Sequence, residues 1–248
     1  MHPGPIQLPR RRWWRRFVVT ALVLISAIGL CIVLVWFSPV FRVHTIGALL
    51  WTEARLQPQR IPALQRALDS WLPPRSILLV GDSLAGMLPA GWVDSRAVNL
   101  GIGGAITEQV RTQLRDLHSL ETARALVIIV GSNDLVHRSI PAAEADLRAL
   151  LVALPANLPV LLCTVPPVNP TRQELNRPAT AITRINDRWA ACAADRPHTH
   201  LVQTERVLAA PSGALLTELD KGDGLHLNSE GNRRLAALLQ QNLGKYAP

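Results

Sequence analysis

The run Ser76-Ile77-Leu78-Leu79-Val80-Gly81-Asp82-Ser83-Leu84 decides the fold class. Its first half is continuously apolar and stops at a glycine. Runs without polar alternation suit strands covered on both faces, as in parallel sheets. The same phrase recurs downstream. Ala97-Val98-Asn99-Leu100 ends in Gly101, Ala125 to Val130 ends in Gly131, and Pro159 to Val165 ends in Pro166 and Pro167. His200 to Gln203 is a weaker fifth run. Helical patterns fall between them, over about 107–117, 141–153, 172–194 and 229–243. This alternation predicts a three-layer α/β domain with a central parallel sheet and right-handed crossovers.

In open α/β sheets, sites form beyond the C-terminal ends of the strands. The polar and glycine residues of this chain cluster there. Gly81-Asp82-Ser83-Leu84 follows the first run and Gly101-Ile102-Gly103-Gly104 the second. Gly131-Ser132-Asn133-Asp134 follows the third, and Asp223-Gly224-Leu225-His226 precedes the last helical pattern. A serine nucleophile needs a base, a group that orients the base, and donors for the oxyanion. Ser83 sits where its hydroxyl can be exposed. His226 can be the base, and Asp223 can hold the imidazole from the same loop. The backbone N–H groups of Ser83 and Gly104 and the side-chain amide of Asn133 can serve the oxyanion. An amide suits this task because it donates without titrating.

These four segments resemble the blocks of the SGNH, or GDSL-type, esterases and lipases. Val80 to Leu84 is similar to the first block, with Ser83 at the nucleophile position. Val98 to Gly104 is similar to the second, with Gly104 at the oxyanion glycine. Gly131 to Asp134 is similar to the third, with Asn133 at the oxyanion asparagine. Asp223 and His226 match the Asp-x-x-His pair that closes the family pattern. The resemblance spans about residues 76–243 and implies a flavodoxin-like sheet, ester hydrolysis through an acyl-enzyme, and no metal or other cofactor. One departure stands out. Relatives often carry Asp-Thr or Asp-Ser after the block-two glycine, whereas Ala105-Ile106-Thr107 follows here. The expectation is that the oxyanion glycine is kept and the polar contacts beside it are lost.

Composition narrows the rest. The 248 residues carry 26 Lys+Arg and 18 Asp+Glu, a formal net charge of +8, and 48% are apolar. A largely disordered chain is excluded. Three cysteines exclude a disulfide-rich scaffold. Cys163 reads as a buried strand residue and Cys192 as a helix residue. Five arginines (Arg10, Arg11, Arg12, Arg15, Arg16) crowd the N-terminus, and the remainder is close to balanced, at 21 against 18. Basic residues there are scattered, which argues against nucleic-acid binding. The histidines outside the Asp223–His226 pair show no metal-ligand spacing, so no metal is predicted. His137 reads as a surface residue, with the pocket rim as the alternative.

Phe17 to Phe37 is a 21-residue run without charge, about the length that crosses a hydrocarbon core. Trp13, Trp14 and Trp36 flank it, as indoles do at the headgroup level. The arginine cluster immediately before it places residues 1–16 in the cytoplasm by the positive-inside rule, and the rest outside. A cleaved signal peptide has a shorter apolar core and a small-residue cleavage site; Val35-Trp36-Phe37 offers none. The organisation expected is a basic cytoplasmic segment (1–16), a transmembrane anchor (17–37), a juxtamembrane linker with a helix over about 59–71 (38–75), and an SGNH hydrolase domain (76–248). It describes a single-pass inner-membrane protein with a periplasmic or extracellular catalytic domain, acting on lipid or carbohydrate acyl esters. Two rival functions share the chain: O-acyl transfer to an envelope glycan, and a non-catalytic envelope scaffold. The oligomeric state leaves no mark on the sequence.

Simpler readings exist for each singled-out residue. Ser83 can be a helix cap, and Asp223-Gly224 a solvated turn. Gly104 can serve close packing, and Asn133 can be a turn residue. Asp134 reads as structural. Val165-Pro166-Pro167-Val168-Asn169-Pro170 stiffens the rim, as a rigid loop or as a wall of the substrate pocket.

Overall fold

The computed structural model describes residues 10–56 and 61–247. The first nine residues lie outside it, as do the side chains of Trp13, Trp14 and Trp36. Five strands form one parallel sheet: β1 (Ile77–Gly81), β2 (Ala97–Asn99), β3 (Ala125–Ile129), β4 (Val160–Cys163) and β5 (Thr199–Val202). Their order is β2-β1-β3-β4-β5, the flavodoxin-like order, whose direction of growth reverses between β1 and β3. In chain order the helices are α1 (Arg10–Phe37), α2 (Pro39–Leu56), α3 (Ile61–Asp69), α4 (Ser83–Gly86), α5 (Thr107–Arg115), α6 (Asp134–His137), α7 (Ile140–Ala153), α8 (Ala179–Ala194), α9 (Glu205–Leu208) and α10 (Ser229–Tyr246).

The continuous apolar runs are explained by cover on both faces. Strand side chains alternate between faces with a period of two. Leu78 and Val80 join one core with Val110 and Leu114 of α5, Leu147 and Leu150 of α7, and Ile185 and Trp189 of α8. Ile77 and Leu79 join the other with Leu84 of α4 and Leu235, Leu239 and Leu243 of α10. No residue of β1 can be polar without leaving a buried group to satisfy. The expected three layers and central parallel sheet are therefore present. Cys163 and Cys192 are both buried and unbridged.

Two segments differ from the sequence reading. The helix expected over 172–194 begins at Ala179. Pro178 has extended backbone (ψ 143°) at its N-cap, and a proline forces the residue before it out of the helical region. Residues 172–178 are thereby released to the rim. In the linker, the helix expected over about 59–71 is α3, but α2 precedes it. Val43, Ile46 and Leu50 of α2 are buried in the core of the domain, each burial being worth roughly 1.5–3 kcal/mol. This helix is packed structure, not tether. Gln65 of α3 adds a buried hydrogen bond to the Leu100 carbonyl (3.0 Å), which fastens α3 to the end of β2.

Helix α1 is of another kind. It is long and apolar enough to cross a membrane, and none of Arg16–Val33 is buried against the rest of the protein. The same features fit a signal segment.

Candidate active site

The site is assembled from three strand-end turns and the loop before α10, beginning with β1. Asp82 caps α4, its Oδ1 accepting the Leu84 N–H (2.8 Å), so Ser83 opens the helix. Gly81 makes this turn feasible. Its φ is +141°, and a Cβ there would lie 1.8 Å from the Ile129 carbonyl oxygen. The strand can therefore pass β3 closely and turn outward only with glycine at this position. Asn99 then ties α4 to the second turn. Its amide donates to the carbonyls of Ala85 (2.6 Å) and Leu88 (2.7 Å), and its oxygen accepts the Gly101 N–H (2.8 Å).

The closing loop lies before α10. Asn228 caps that helix by accepting from Glu230 and Gly231 (3.0 Å each). Asp220 Oδ1 accepts the N–H groups of Gly222 (2.8 Å) and Gly224 (2.9 Å), winding the loop tightly. The Gly224 carbonyl takes the Asn169 N–H (2.8 Å), which joins the loop to the proline-rich segment after β4. This frame presents His226 to Ser83, with Oγ and Nε2 2.8 Å apart. On the far side of the ring, Nδ1 is 2.8 Å from Asp223 Oδ2. Asp223 Oδ1 also accepts the N–H groups of His226 (2.8 Å) and Leu225 (3.0 Å). Partial burial pushes this carboxyl up, but those hydrogen bonds and the charge of His226 outweigh it and hold Asp223 at about 2.

Asp82 has the opposite character. It is fully buried, and its Oδ2 has no partner among the described residues. Burial pushes it up to about 7, against the pull of the Leu84 N–H and of the Arg177 charge.

The side expected from the sequence to face an oxyanion comes from the second and third turns. Gly104 has φ +79° with nothing within 4 Å of where a Cβ would stand, so its backbone is open to a ligand. Among the described residues, neither the Ser83 nor the Gly104 N–H donates within the protein. Asn133 opens α6, and its Nδ2 donates to the Ala105 carbonyl (3.1 Å). Next to it, buried Asp134 accepts from the Thr107 N–H (3.0 Å) and hydroxyl (3.0 Å). This corrects the expectation that polar contacts beside the block-two glycine are lost. They are retained through Thr107, three residues past Gly104. Asp134 is thus structural, and His137 is exposed on α6.

All five residues singled out in the sequence (Ser83, Gly104, Asn133, Asp223 and His226) lie on this rim. Sequence reasoning missed three others. Asn99 lies inside the second quoted block and Thr107 three residues past it, but their partners are on other turns. Arg177 lies in the segment expected to be helical, and its guanidinium reaches Asn133 Oδ1 (3.0 Å) and the Ser132 carbonyl (2.8 Å). Beside it opens a cavity of about 820 Å³, lined in part by Val165, Pro167, Asn169, Pro170, Arg177 and Asn186. The proline-rich segment walls this cavity, which none of the five rim residues lines.

Residues 73–234 match the GDSL-like lipase/acylhydrolase family, and the chain belongs to that family. Solved structures agree on the fold. A Streptococcus pneumonia protein superposes with a TM-score of 0.68 at 23% identity, covering 79% of this chain and 97% of its own. A GDSL-like lipase from Bacteroides thetaiotaomicron gives 0.63 at 21%, over 74% and 97%. An acetylxylan esterase from Geobacillus stearothermophilus gives 0.55 at 16%, over 68% and 94%. No curated protein sequence matches the chain.

Proposed function

We propose that this chain is a membrane-anchored serine esterase that hydrolyses acyl esters of lipids or carbohydrates. The observation that carries the reading is the unbroken line from Asp223 Oδ2 through the His226 ring to Ser83 Oγ, with both contacts at 2.8 Å. Ser83 Oγ attacks the ester carbonyl while His226 Nε2 takes its proton. Asp223 keeps Nδ1 protonated and stabilises the imidazolium that forms. The carbonyl oxygen becomes an anion facing the N–H groups of Ser83 and Gly104 and the Asn133 amide. Collapse breaks the bond to the alcohol, which leaves with the proton from His226. Water then gives its proton to His226 and its oxygen to the acyl carbon, releasing the acid and restoring Ser83. The acetylxylan esterase among the structural neighbours supports a carbohydrate O-acyl substrate.

The test is hydrolysis of p-nitrophenyl esters from acetyl to palmitoyl by the purified chain beside Ser83→Ala. The expected result is loss of turnover by roughly three to six orders of magnitude with an unchanged melting temperature. Wild-type activity in Ser83→Ala would overturn the reading. Acylated sugar in place of free acid would reassign the reaction to O-acyl transfer. A folded wild-type chain with no turnover, whose Ser83 resists fluorophosphonate, would be a scaffold.

We read helix α1 as the anchor, and the arginines in its first turns support a catalytic domain on the outer side of the cytoplasmic membrane. Because α2 is packed into the domain, the natural cut lies after Phe37. Deletion of residues 1–37 is expected to move the protein from the membrane pellet to the soluble fraction with activity retained. A deleted chain that still sediments with membranes would refute the anchor.

A further inference from the structure

We infer that Arg177 is a positioning residue that fixes the amide of Asn133 in the orientation needed to face an oxyanion. This rests on the esterase reading above and adds a residue to it. The guanidinium makes three contacts at once: Nε to the Ser132 carbonyl (2.8 Å), Nη1 to the Leu175 carbonyl (2.9 Å) and Nη2 to Asn133 Oδ1 (3.0 Å). A guanidinium only donates, so the Asn133 atom that meets it must be the carbonyl oxygen. The Ala105 carbonyl only accepts, so the atom that meets it, at 3.1 Å, must be the amide nitrogen. Two neighbours on different loops thus set the same orientation independently. Ala105 takes one of the two amide hydrogens, and the other remains for a ligand.

Without Arg177 the amide loses its charged donor. Rotation by half a turn about its last bond then presents a carbonyl oxygen where an anion must be held, and attraction becomes repulsion. The guanidinium also draws electron density from Oδ1, which strengthens the remaining N–H as a donor. Pro178, the N-cap of α8, restricts the backbone of Arg177 before it by disfavouring the helical region. Arg177 also lines the large cavity, so it stands between that cavity and the third turn.

The test is a double-mutant cycle in the full chain, with p-nitrophenyl acetate as substrate, using Arg177→Met, Asn133→Ala and both together. Arg177→Met is expected to lower kcat roughly 10- to 100-fold with little change in KM. This falls below the roughly 100- to 1000-fold expected for losing an oxyanion donor outright. In the Asn133→Ala background the same change is expected to cost almost nothing more. Arg177→Lys, which keeps the charge but not the fork, is expected to recover only part of kcat. Losses that multiply in the double variant, or a rise in KM at unchanged kcat, would overturn the inference. Should Arg177→Met fail to fold, the same cycle is read from Arg177→Lys. Ser83→Ala is run alongside. Additive losses with Ser83-dependent turnover sink this inference alone, whereas turnover that survives Ser83→Ala sinks the esterase reading with it.

Discussion

Two aspartates flank the contact between Ser83 and His226, and their surroundings are opposite. Asp223 lies on an exposed loop and receives two backbone N–H groups as well as the imidazole. Asp82 is sealed under α4 with one backbone donor and an unpartnered Oδ2. The first is held ionised, at about 2, and the second is pushed to about 7. A carboxyl group is charged where donors are aimed at it and neutral where water is excluded without replacement. Position beside Ser83 is therefore no guide to role. Asp223 can stabilise an imidazolium because its charge is secure. Asp82 shapes the turn that presents Ser83.

Replacing each aspartate by asparagine sharpens this contrast. Asp223→Asn is expected to have the larger effect, a fall in kcat of about 10⁴ with the fold intact, since the amide no longer selects the productive tautomer. Steady-state kinetics on p-nitrophenyl acetate decide it, and a loss under tenfold would break the comparison.

Asp82→Asn is expected to act on stability. The carboxyl binds its proton more tightly in the folded chain, about 7 against 3.8 unfolded. Its contribution is therefore fully present below about pH 4 and is lost as pH rises to about 7. Between those limits the wild type is expected to lose of order 2–4 kcal/mol from this group. The asparagine variant has no such slope and is expected to melt higher than the wild type at pH 8. Thermal melts at pH 4, 6 and 8 would show it. Parallel pH profiles for the two proteins would mean that Asp82 is ionised throughout.

The N-terminal helices carry a related lesson about legibility. Phe17 to Phe37 is apolar on all sides, so its length alone announces it. Val43, Ile46 and Leu50 of α2 form only one buried face, within a segment that reads as a connection. Helix α2 packs on β2 and on α3, and its own sequence does not mark that face as covered. Ser83, Gly104 and Asn133 were legible because each follows an apolar run that reads as a strand, and Asp223 and His226 because of their Asp-x-x-His spacing. Arg177 was not, because it sits in a stretch that reads as the start of a helix and meets a residue 44 positions away.

From the sequence alone came the strands, their cover on both faces, the turn that exposes Ser83, and the identity of five rim residues. These follow from short-range chemistry: apolar runs, glycines at sharp turns, and an Asp-x-x-His spacing that fits one loop. Tertiary structure alone decided that His226 meets Ser83 across 143 residues, that α2 belongs to the domain core, and which way the Asn133 amide faces. Those outcomes depend on strand order and loop paths, which bring together groups whose own neighbours in sequence carry no record of the meeting.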